Sequence, residues 1–470
     1  MSDPTWISVL PPVIAIVLAI VSRQVYLSLA GGLWLGWTIL SSWNPIAGMG
    51  AAIQGLVAVF QDEGDTRVIL FTLAVGALIA TVEASGGVRG FVTYLERRNW
   101  VTSARGAQLL AWVTGVVIFI ESNITVLVAG AVARPLCDRY RCSRERLAYI
   151  IDSTSAPICI LIPLNAWGAY NLGILGGLGI EHPLSVFLEA VALNFYAIVA
   201  VLLTLATILW DLDIGPMRKA QERTREGRLL WPDSTPMIDD EVLAPPPNER
   251  IPPRAFNMFL PIAAMVVFMP IGLFVTGHGD LEAGSGSTSV LWAVLVGLAV
   301  AWVLLLVQRA FTQGELVKIG LKGAGGLIPL ALILLLAIAL GNVTQELGTG
   351  AWVARVAADR LPPFLLLPLV FLVASGISFS TGTSWGTFAI MLPLAVPAAM
   401  TLGLPTAPFV AASLSGGIFG DHCSPISDTT IISSMAAATD HIDHVRTQLP
   451  YALIGGGIAA VCFAAVGAMI

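Results

Sequence analysis

Four acidic residues occur inside apolar segments of this 470-residue chain. Glu121 lies in the run ESNIT, Asp152 in DSTSAP, and Asp421 and Asp428 in DHCSPISD. A carboxylate in the middle of a membrane helix costs several kcal/mol unless it is paired, solvated or protonated. Sodium is a hard cation that prefers oxygen ligands. These acids therefore predict an intramembrane site at which sodium and protons compete.

The runs that begin at Asp152 and Asp421 each contain Ser shortly before Pro. Because Pro lacks a backbone donor, it disrupts a helix and leaves carbonyl oxygens unpaired. Half-helix ends add partial charges, and hydroxyls add further oxygens. The candidate ion ligands are Asp152, Ser153, Thr154, Ser155, Asp421, Ser424 and Asp428. His422 is a candidate proton partner, or equally a neutral hydrogen-bond partner.

Other polar residues are given a structural role. Isolated Ser and Thr in membrane helices usually bond their own backbone, so Thr72 and Thr114 are given no site role. The segment DHIDH, Asp440–His444, pairs two histidines at a cytoplasmic edge, but no wider ligand set accompanies it. We expect no metal site there.

Composition excludes a soluble protein. Hydrophobic residues make up 56% of the chain and charged residues only 11%, and the mean hydropathy is +0.83. Soluble domains carry about 25% charged residues. Several apolar stretches approach or exceed the roughly 20 residues that cross a bilayer. They include Trp6–Val21, Leu184–Trp210, Phe256–Val275, Val290–Val307 and Tyr451–Ile470. The sequence shows neither a nucleophile–base pair nor a cofactor motif, so we expect no enzyme, no cofactor and no nucleic-acid partner.

The distribution of Lys and Arg predicts the organisation. Residues 211–254 are polar and Pro-rich, and we interpret them as a cytoplasmic linker between membrane halves 1–210 and 255–470. The positive-inside rule places Arg105 and Arg134 on the same cytoplasmic face. The apolar segment between them is too short for two crossings, so a re-entrant hairpin over 106–133 is predicted, with its tip near Ser122–Asn123.

The second half repeats this pattern from the opposite face. A hairpin is predicted over 362–402, and interrupted helices are predicted over 147–175 and 408–439. The predicted fold is an all-α polytopic membrane protein with two inverted repeats, each of about five crossings plus one hairpin. Such an arrangement is typical of secondary transporters with a midplane site. Residues 46–60 could span or lie at the interface.

Four segments together resemble the NhaC-type sodium/proton antiporter family. They are RGAQLLAWVTGVVIFIESN, RERLAYIIDSTSAPICILIPLNAW, STGTSWGTFAIMLPLA and FGDHCSPISDTTIISSMAAATDHIDHVRTQLPYAL. The resemblance implies inverted repeats, an elevator-like motion, sodium coupling, dimers, and a multi-pass location in a bacterial or archaeal plasma membrane. It also implies hairpin-tip site residues, which here are Ser122, Asn123, Thr125, Thr381, Thr383 and Ser384. Glu121 joins them as a candidate because it is an acid inside an apolar segment.

One departure from the family pattern affects the functional prediction. Many relatives carry two adjacent aspartates in the first hairpin, where this chain has Glu121 and Ser122. We therefore hold two hypotheses. The first is a sodium/proton antiporter; the alternative is a sodium- or proton-coupled transporter of a small organic acid or amino acid. A channel or a non-transporting scaffold is a third class that the predicted inverted halves disfavour.

Overall fold

The computed structural model describes residues 5–22, 24–87, 90, 101–119, 122–163, 165–236, 254–279, 284–360 and 362–470. Every regular element in these ranges is helical. The first twelve α-helices are α1 (Leu10–Ser22), α2 (Val25–Leu40), α3 (Pro45–Val59), α4 (Glu63–Ala84), α5 (Ala104–Val117), α6 (Ser122–Arg139), α7 (Arg144–Ser153), α8 (Ala156–Leu161), α9 (Ala166–Gly177), α10 (Pro183–Ala192), α11 (Phe195–Trp210) and α12 (Pro216–Arg225).

The other helices among the described residues follow the predicted linker. They are α13 (Phe256–Thr276), α14 (Gly286–Val307), α15 (Gln313–Gly326), α16 (Ile328–Glu346), α17 (Thr349–Arg360), α18 (Leu366–Thr381), α19 (Ser384–Thr401), α20 (Thr406–Cys423), α21 (Asp428–Ala437) and α22 (His441–Gly467). Short 3-10 turns at Trp6–Val9 and Pro363–Leu365 precede α1 and α18.

Length and apolar composition identify the membrane-spanning helices. Among the described residues, six helices (α4, α13, α14, α16, α19 and α22) are long and apolar enough to cross a bilayer. The number rises to eight if each of two bent helix pairs forms one span. The chain is therefore a multi-pass membrane protein, as its composition predicts.

The apolar stretch Leu184–Trp210 is two helices rather than one. Helices α10 and α11 meet at a bend of 41°. Asn194 lies at this bend, and its side chain accepts a hydrogen bond from the backbone N–H of Ala197 at the start of α11. The Oδ1 atom of Asn194 also accepts a 2.6 Å bond from Ser415 on α20. A buried polar residue therefore divides an otherwise continuous apolar run.

The predicted linker contains a docked helix. Helix α12 packs against α7 and α22. Arg223 on α12 donates two hydrogen bonds of 2.8 and 3.0 Å to the carboxylate of Glu145 on α7. The side chains of Arg223 and Glu145 are only 2% and 0% exposed. The segment between the halves is thus anchored by a buried bidentate ion pair.

The predicted hairpins correspond to two pairs of adjoining helices. Helices α5 and α6 pack against each other, and so do α18 and α19. Between the first two helices, Ile118 and Phe119 are not helical, and Ser122 is the first residue of α6. The re-entrant path of these pairs, the division into inverted halves and its boundaries stay predictions.

Candidate ion-binding site at two helix breaks

The first break lies between α7 and α8. Helix α7 ends at Ser153 and α8 begins at Ala156. The hydroxyl of Thr154 donates a 2.7 Å hydrogen bond to the Ile150 carbonyl, and that of Ser155 donates a 2.9 Å bond to the Asp152 carbonyl. A hydroxyl that donates its hydrogen keeps its lone pairs. The buried oxygens at this break remain able to coordinate a cation.

Helix α5 packs closely against the first break. A Cβ atom added to Gly115 would lie 2.1 Å from Oγ1 of Thr154, so only glycine permits this approach. Beyond the end of α5, the Phe119 carbonyl accepts a 2.9 Å hydrogen bond from the amide of Asn165, which caps α9. The first predicted hairpin and the first broken helix therefore form one packed unit.

The second break lies between α20 and α21. Helix α20 ends at Cys423, and the Ser424 hydroxyl donates a 2.8 Å hydrogen bond to the Phe379 carbonyl on α18. Gly382, between α18 and α19, has φ of +68°, and a Cβ there would lie 2.4 Å from the Ile426 carbonyl. The turn of the second predicted hairpin thus packs directly on the second break.

Asp152 is hydrogen-bonded to residues far along the chain. Its side chain is 0% exposed, and its Oδ2 accepts hydrogen bonds from Gln448 Nε2 at 2.7 Å and Thr430 Oγ1 at 3.1 Å. The Nε2 atom of His444 lies 3.9 Å from the same oxygen. The other oxygen, Oδ1, is buried with no hydrogen-bond partner among the described residues. A carboxylate held in this way retains one oxygen for a cation or a proton.

Gln448 orders the polar groups around Asp152. Its amide nitrogen donates to Asp152 and also to the His422 carbonyl, at 3.0 Å. Its amide oxygen lies 3.0 Å from Nε2 of His444 and must accept from it. Neutral His444 is therefore protonated on Nε2, and its Nδ1 can accept a hydrogen bond. The Ser434 hydroxyl lies 2.9 Å from this nitrogen and can donate either to it or to the Thr430 carbonyl, 2.8 Å away.

A second histidine extends this series of hydrogen bonds. The Ser434 hydroxyl also lies 3.1 Å from Nδ1 of His441, at the start of α22. His441 Nε2 lies 2.7 Å from the Pro425 carbonyl and donates to it. His441 is partly exposed, whereas His444 and Ser434 are buried. Hydrogen bonds therefore connect Asp152 to the edge of the protein.

Asp421 occupies a second buried position. It is 1% exposed, and its Oδ2 accepts a 3.2 Å hydrogen bond from Thr429 Oγ1. Its Oδ1 has no hydrogen-bond partner in the described part of the chain. Ser427 in the second break and Ser384 at the start of α19 lie near this carboxyl.

Asp428 differs from the other two aspartates because it is exposed. It is the first residue of α21, and its carboxylate accepts a 2.8 Å bond from the Thr429 backbone N–H. Its charge still interacts with those of Asp152 and Asp421. Within the described ranges, no three His, Cys, Asp or Glu side chains are grouped to hold a metal ion. A cation here would need hydroxyl and carbonyl oxygens beside a carboxylate.

The other predicted site residues lie near these breaks in different environments. Ser122 and Ser153 are buried, and Thr125 donates to the Ile118 carbonyl. Ser384 donates to the Gly417 carbonyl at 3.1 Å, whereas Thr381 bonds its own helix. Thr383 is half-buried and caps α19 without a side-chain hydrogen bond.

His422 is buried, with Nδ1 3.1 Å from the Tyr196 hydroxyl. Asn123 belongs to α6, and Glu121 lies outside the described residues.

Sequence reasoning missed three residues that contact Asp152. Gln448, Thr430 and His444 surround its carboxylate; of the three, only His444 belongs to a segment discussed above, DHIDH, which was given no site role. One signal was available. His441, His444 and Gln448 are spaced by three and four residues, which places them on one face of α22 just before its long apolar part.

Comparisons with known proteins agree with this architecture. A model of the Na+/H+ antiporter family matches residues 158–468. An uncharacterized protein of Haemophilus influenzae is 32% identical over 99% of this chain and 91% of its own length. Two further relatives match only part of the chain. The arginine/ornithine antiporter ArcD of Halobacterium salinarum is 30% identical over 47% of this chain and 44% of its own length. The malate-2H+/Na+-lactate antiporter of Bacillus subtilis is 29% identical over 46% of this chain and 44% of its own length.

A solved structure shares the fold. MtrF of Neisseria gonorrhoeae, described within a class of antimetabolite efflux pumps, superposes with a TM-score of 0.56 at 12% identity, covering 89% of this chain and 84% of its own. The family match and the named relatives identify the chain as a secondary transporter of the membrane. The chain belongs to the Na+/H+ antiporter family. The predicted family resemblance is confirmed, and membership implies Na+ as a transported ion.

Proposed function

We propose that this protein is a sodium/proton antiporter whose buried carboxylates, Asp152 and Asp421, exchange Na+ for H+. One observation carries the proposal. Each carboxylate is at most 1% exposed, and each keeps an oxygen without a partner among the described residues, beside a hydroxyl-rich helix break. A buried anion of this kind is stabilised either by a cation or by protonation. Sodium and protons therefore compete for the same oxygens.

The surroundings suit a small hard cation. Hydroxyl oxygens of Thr430 and Thr429 border the two carboxylates, and backbone carbonyls near the breaks supply further ligands. Ser153, Thr154 and Ser155 on one side, and Ser384 and Ser424 on the other, complete the oxygen-rich lining in this proposal. Asp428, being exposed, would act on an approaching ion through its charge rather than as an enclosed ligand.

The hydrogen-bonded series at α22 supports the proton half of the exchange. It runs from Asp152 through Gln448, His444 and Ser434 to the partly exposed His441. The Gln448 amide nitrogen only donates, so it positions these groups rather than carrying the proton. In the His444 tautomer protonated on Nδ1, a proton leaving Asp152 would pass directly to Nε2, 3.9 Å from Oδ2, and on through Ser434 to His441. The Ser434 hydroxyl lies within hydrogen-bonding distance of both imidazoles and of the Thr430 carbonyl, and it can exchange partners among them.

We further propose that transport follows an elevator-type alternating-access cycle between inverted halves in a bacterial or archaeal plasma membrane. Each predicted hairpin packs on one helix break, and hydrogen bonds to Asp152 cross from the first half to α21 and α22. An ion held between such units would be exposed to either face by a relative movement. An ion bound at Asp152, beside residues of both predicted halves, would fit this cycle.

A second candidate is a sodium- or proton-coupled carrier of a small organic acid or amino acid. It is favoured by two partial relatives, whose names specify arginine/ornithine and malate/lactate exchange. Where many relatives carry two adjacent aspartates, this chain has Glu121 and Ser122, so it has one carboxylate fewer for binding ions. In this case sodium or protons at Asp152 and Asp421 would couple to a solute beside them.

Proteoliposomes test the first proposal. Sodium-dependent proton flux is measured for the wild type, for Asp152→Asn and Asp421→Asn, and for the matched control Glu63→Gln, whose carboxylate is exposed at the start of α4. We expect both aspartate variants to lose most flux and the control to keep it. Wild-type vesicles that show no sodium-dependent proton movement would refute antiport.

A solute panel tests the second candidate on the same preparations. Thermal unfolding of the purified protein is followed with dicarboxylates, lactate, arginine or ornithine, each with and without sodium. A ligand present at a hundred times its Kd stabilises a folded protein by about 2.7 kcal/mol. Sodium-dependent stabilisation by one solute, absent in Asp421→Asn, would favour the carrier. Stabilisation by sodium alone favours antiport.

A further inference from the structure

A cavity of about 560 Å³ opens away from the ion site, where the start of α5, the end of α6 and the linker helix α12 meet. The distribution of Lys and Arg assigns this face to the cytoplasm. The residues that line it include two aspartates and four arginines, which are Asp211, Asp213, Arg105, Arg141, Arg146 and Arg225. The volume lies in the range of pockets that bind small molecules.

The charges in this cavity do not balance. Asp211 pairs with Arg105 at 3.1 Å, and Asp213 pairs with Arg146. No carboxylate among the described residues lies within 4.0 Å of the side-chain nitrogens of Arg141 or Arg225. Two guanidinium groups in excess make the cavity a poor place for a transported cation and a good one for an anion.

Arg146 supplies an independent sign of a missing ligand. This arginine is only 2% exposed. Its Nη1 donates to Asp213 and its Nη2 to the Thr207 carbonyl, but its Nε has no partner in the described part of the chain. A buried charged donor without an acceptor is costly, so an oxygen of a bound anion would satisfy it.

The first turn of α5 adds to this positive environment. Ser103 caps the helix by accepting from the Gly106 backbone N–H at 3.1 Å, and both Ser103 and Ala104 line the cavity. The N-terminus of a helix carries a partial positive charge and free N–H groups, which favour phosphate. Guanidinium groups likewise bind phosphate oxygens in pairs.

We infer that this cavity is a binding site for a phosphate-bearing anion, either a free phosphate compound or the headgroup of an anionic lipid. The ligand would contact α5, the end of α6 and α12 together. It would hold the linker helix against the foot of the first predicted hairpin. This site is separate from Asp152 and Asp421, so it does not depend on the proposed transport reaction.

Binding of inorganic phosphate tests the free-anion source. Full-length protein in phosphatidylcholine nanodiscs is titrated with phosphate at constant ionic strength, with chloride as the reference anion. The test variant is the double substitution Arg141→Gln/Arg225→Gln, and Arg225→Gln alone is a second variant with a smaller change. Arg141 and Arg225 are both exposed. The matched control is Arg228→Gln, an exposed arginine that follows α12 and does not line the cavity. We expect the double variant to bind phosphate about tenfold more weakly or worse, and the control to be unchanged.

Nanodiscs that contain phosphatidylglycerol, without added phosphate, test the lipid source. If this lipid raises the unfolding temperature of the wild type and the control but not of the double variant, the site takes a headgroup. If inorganic phosphate discriminates instead, the site takes a free anion. The inference is overturned if neither phosphate nor phosphatidylglycerol distinguishes the double variant from Arg228→Gln.

Discussion

The carboxylate of Asp152 on α7 accepts a 2.7 Å hydrogen bond from the side chain of Gln448 on α22. Both residues are fully buried, and they come from opposite halves of the chain. The bond joins the break at Asp152, which the polar run DSTSAP predicts, to a face of α22 that no sequence motif predicts. Gln448 thereby determines how strongly the first carboxylate of the proposed ion site is stabilised as an anion.

Replacing Gln448 by Leu should weaken sodium binding. The substitution removes the hydrogen bond to Asp152 and leaves its charged form less well stabilised, at a cost of about 2 kcal/mol. We expect the sodium concentration for half-maximal flux at neutral pH to rise about tenfold or more. Thr447→Val is the control, because Thr447 bonds only the backbone of its own helix. Equal sodium dependence in both variants would mean that Gln448 does not act on the ion site.

Replacing Ser434 by Ala should slow proton exchange. Ser434 connects His444 to His441, and alanine interrupts that connection without touching either aspartate. We expect the maximal rate of sodium-dependent proton flux to fall several-fold while half-saturation by sodium changes little. Ser413→Ala is the control, because its hydroxyl bonds the Phe409 carbonyl within α20. A rate no lower than that of the control would exclude this route for the proton.

Replacing Gly382 by Ala should destabilise the second break. Gly382 has φ of +68°, and the new Cβ would lie 2.4 Å from the Ile426 carbonyl. The backbone conformation alone costs about 1 kcal/mol, and the contact must also be relieved. We expect a lower unfolding temperature in detergent together with weaker sodium stabilisation. Gly376→Ala, with open space around it in α18, should be neutral or slightly stabilising.

Replacing Glu145 by Gln should loosen the linker helix. The change leaves Arg223 charged and buried without its partner, and breaking such a pair costs about 3 kcal/mol. We expect faster proteolysis of the segment around α12 and a lower unfolding temperature. Glu226→Gln is the control, because its ion pair with Arg228 is more than half exposed. If limited proteolysis proceeds equally in both variants, the ion pair does not anchor the helix.

Much of the fold was predictable because the membrane restricts what a chain can do. Long apolar helices follow from composition, and a polar run containing Pro inside an apolar segment predicts a break. The break at Cys423–Asp428 falls inside the predicted run for this reason. The bend at Asn194 was not predicted, since one Asn in an apolar stretch also fits an unbroken helix facing a polar neighbour.

The candidate site was predictable only in part. Asp152 and Asp421 are detectable because a carboxylate in an apolar segment is costly wherever it points. Gln448 and Thr430 carry no charge, so their importance depends on which side chains they meet across the fold. The exposed position of Asp428 also depends on packing, because nothing in DHCSPISD separates its environment from that of Asp421.

The bond between Asp152 and Gln448 spans 296 positions of the chain, and this separation has a consequence for biogenesis. The ribosome delivers α7 to the membrane long before α21 and α22 exist. Asp152 lacks Thr430 until α21 is inserted and Gln448 until α22 is inserted, so its burial is not fully compensated before the last helix arrives. A polypeptide that stops before α22 would therefore retain an incompletely satisfied acid in its interior. Such a fragment would be a substrate for membrane quality control rather than a smaller working transporter.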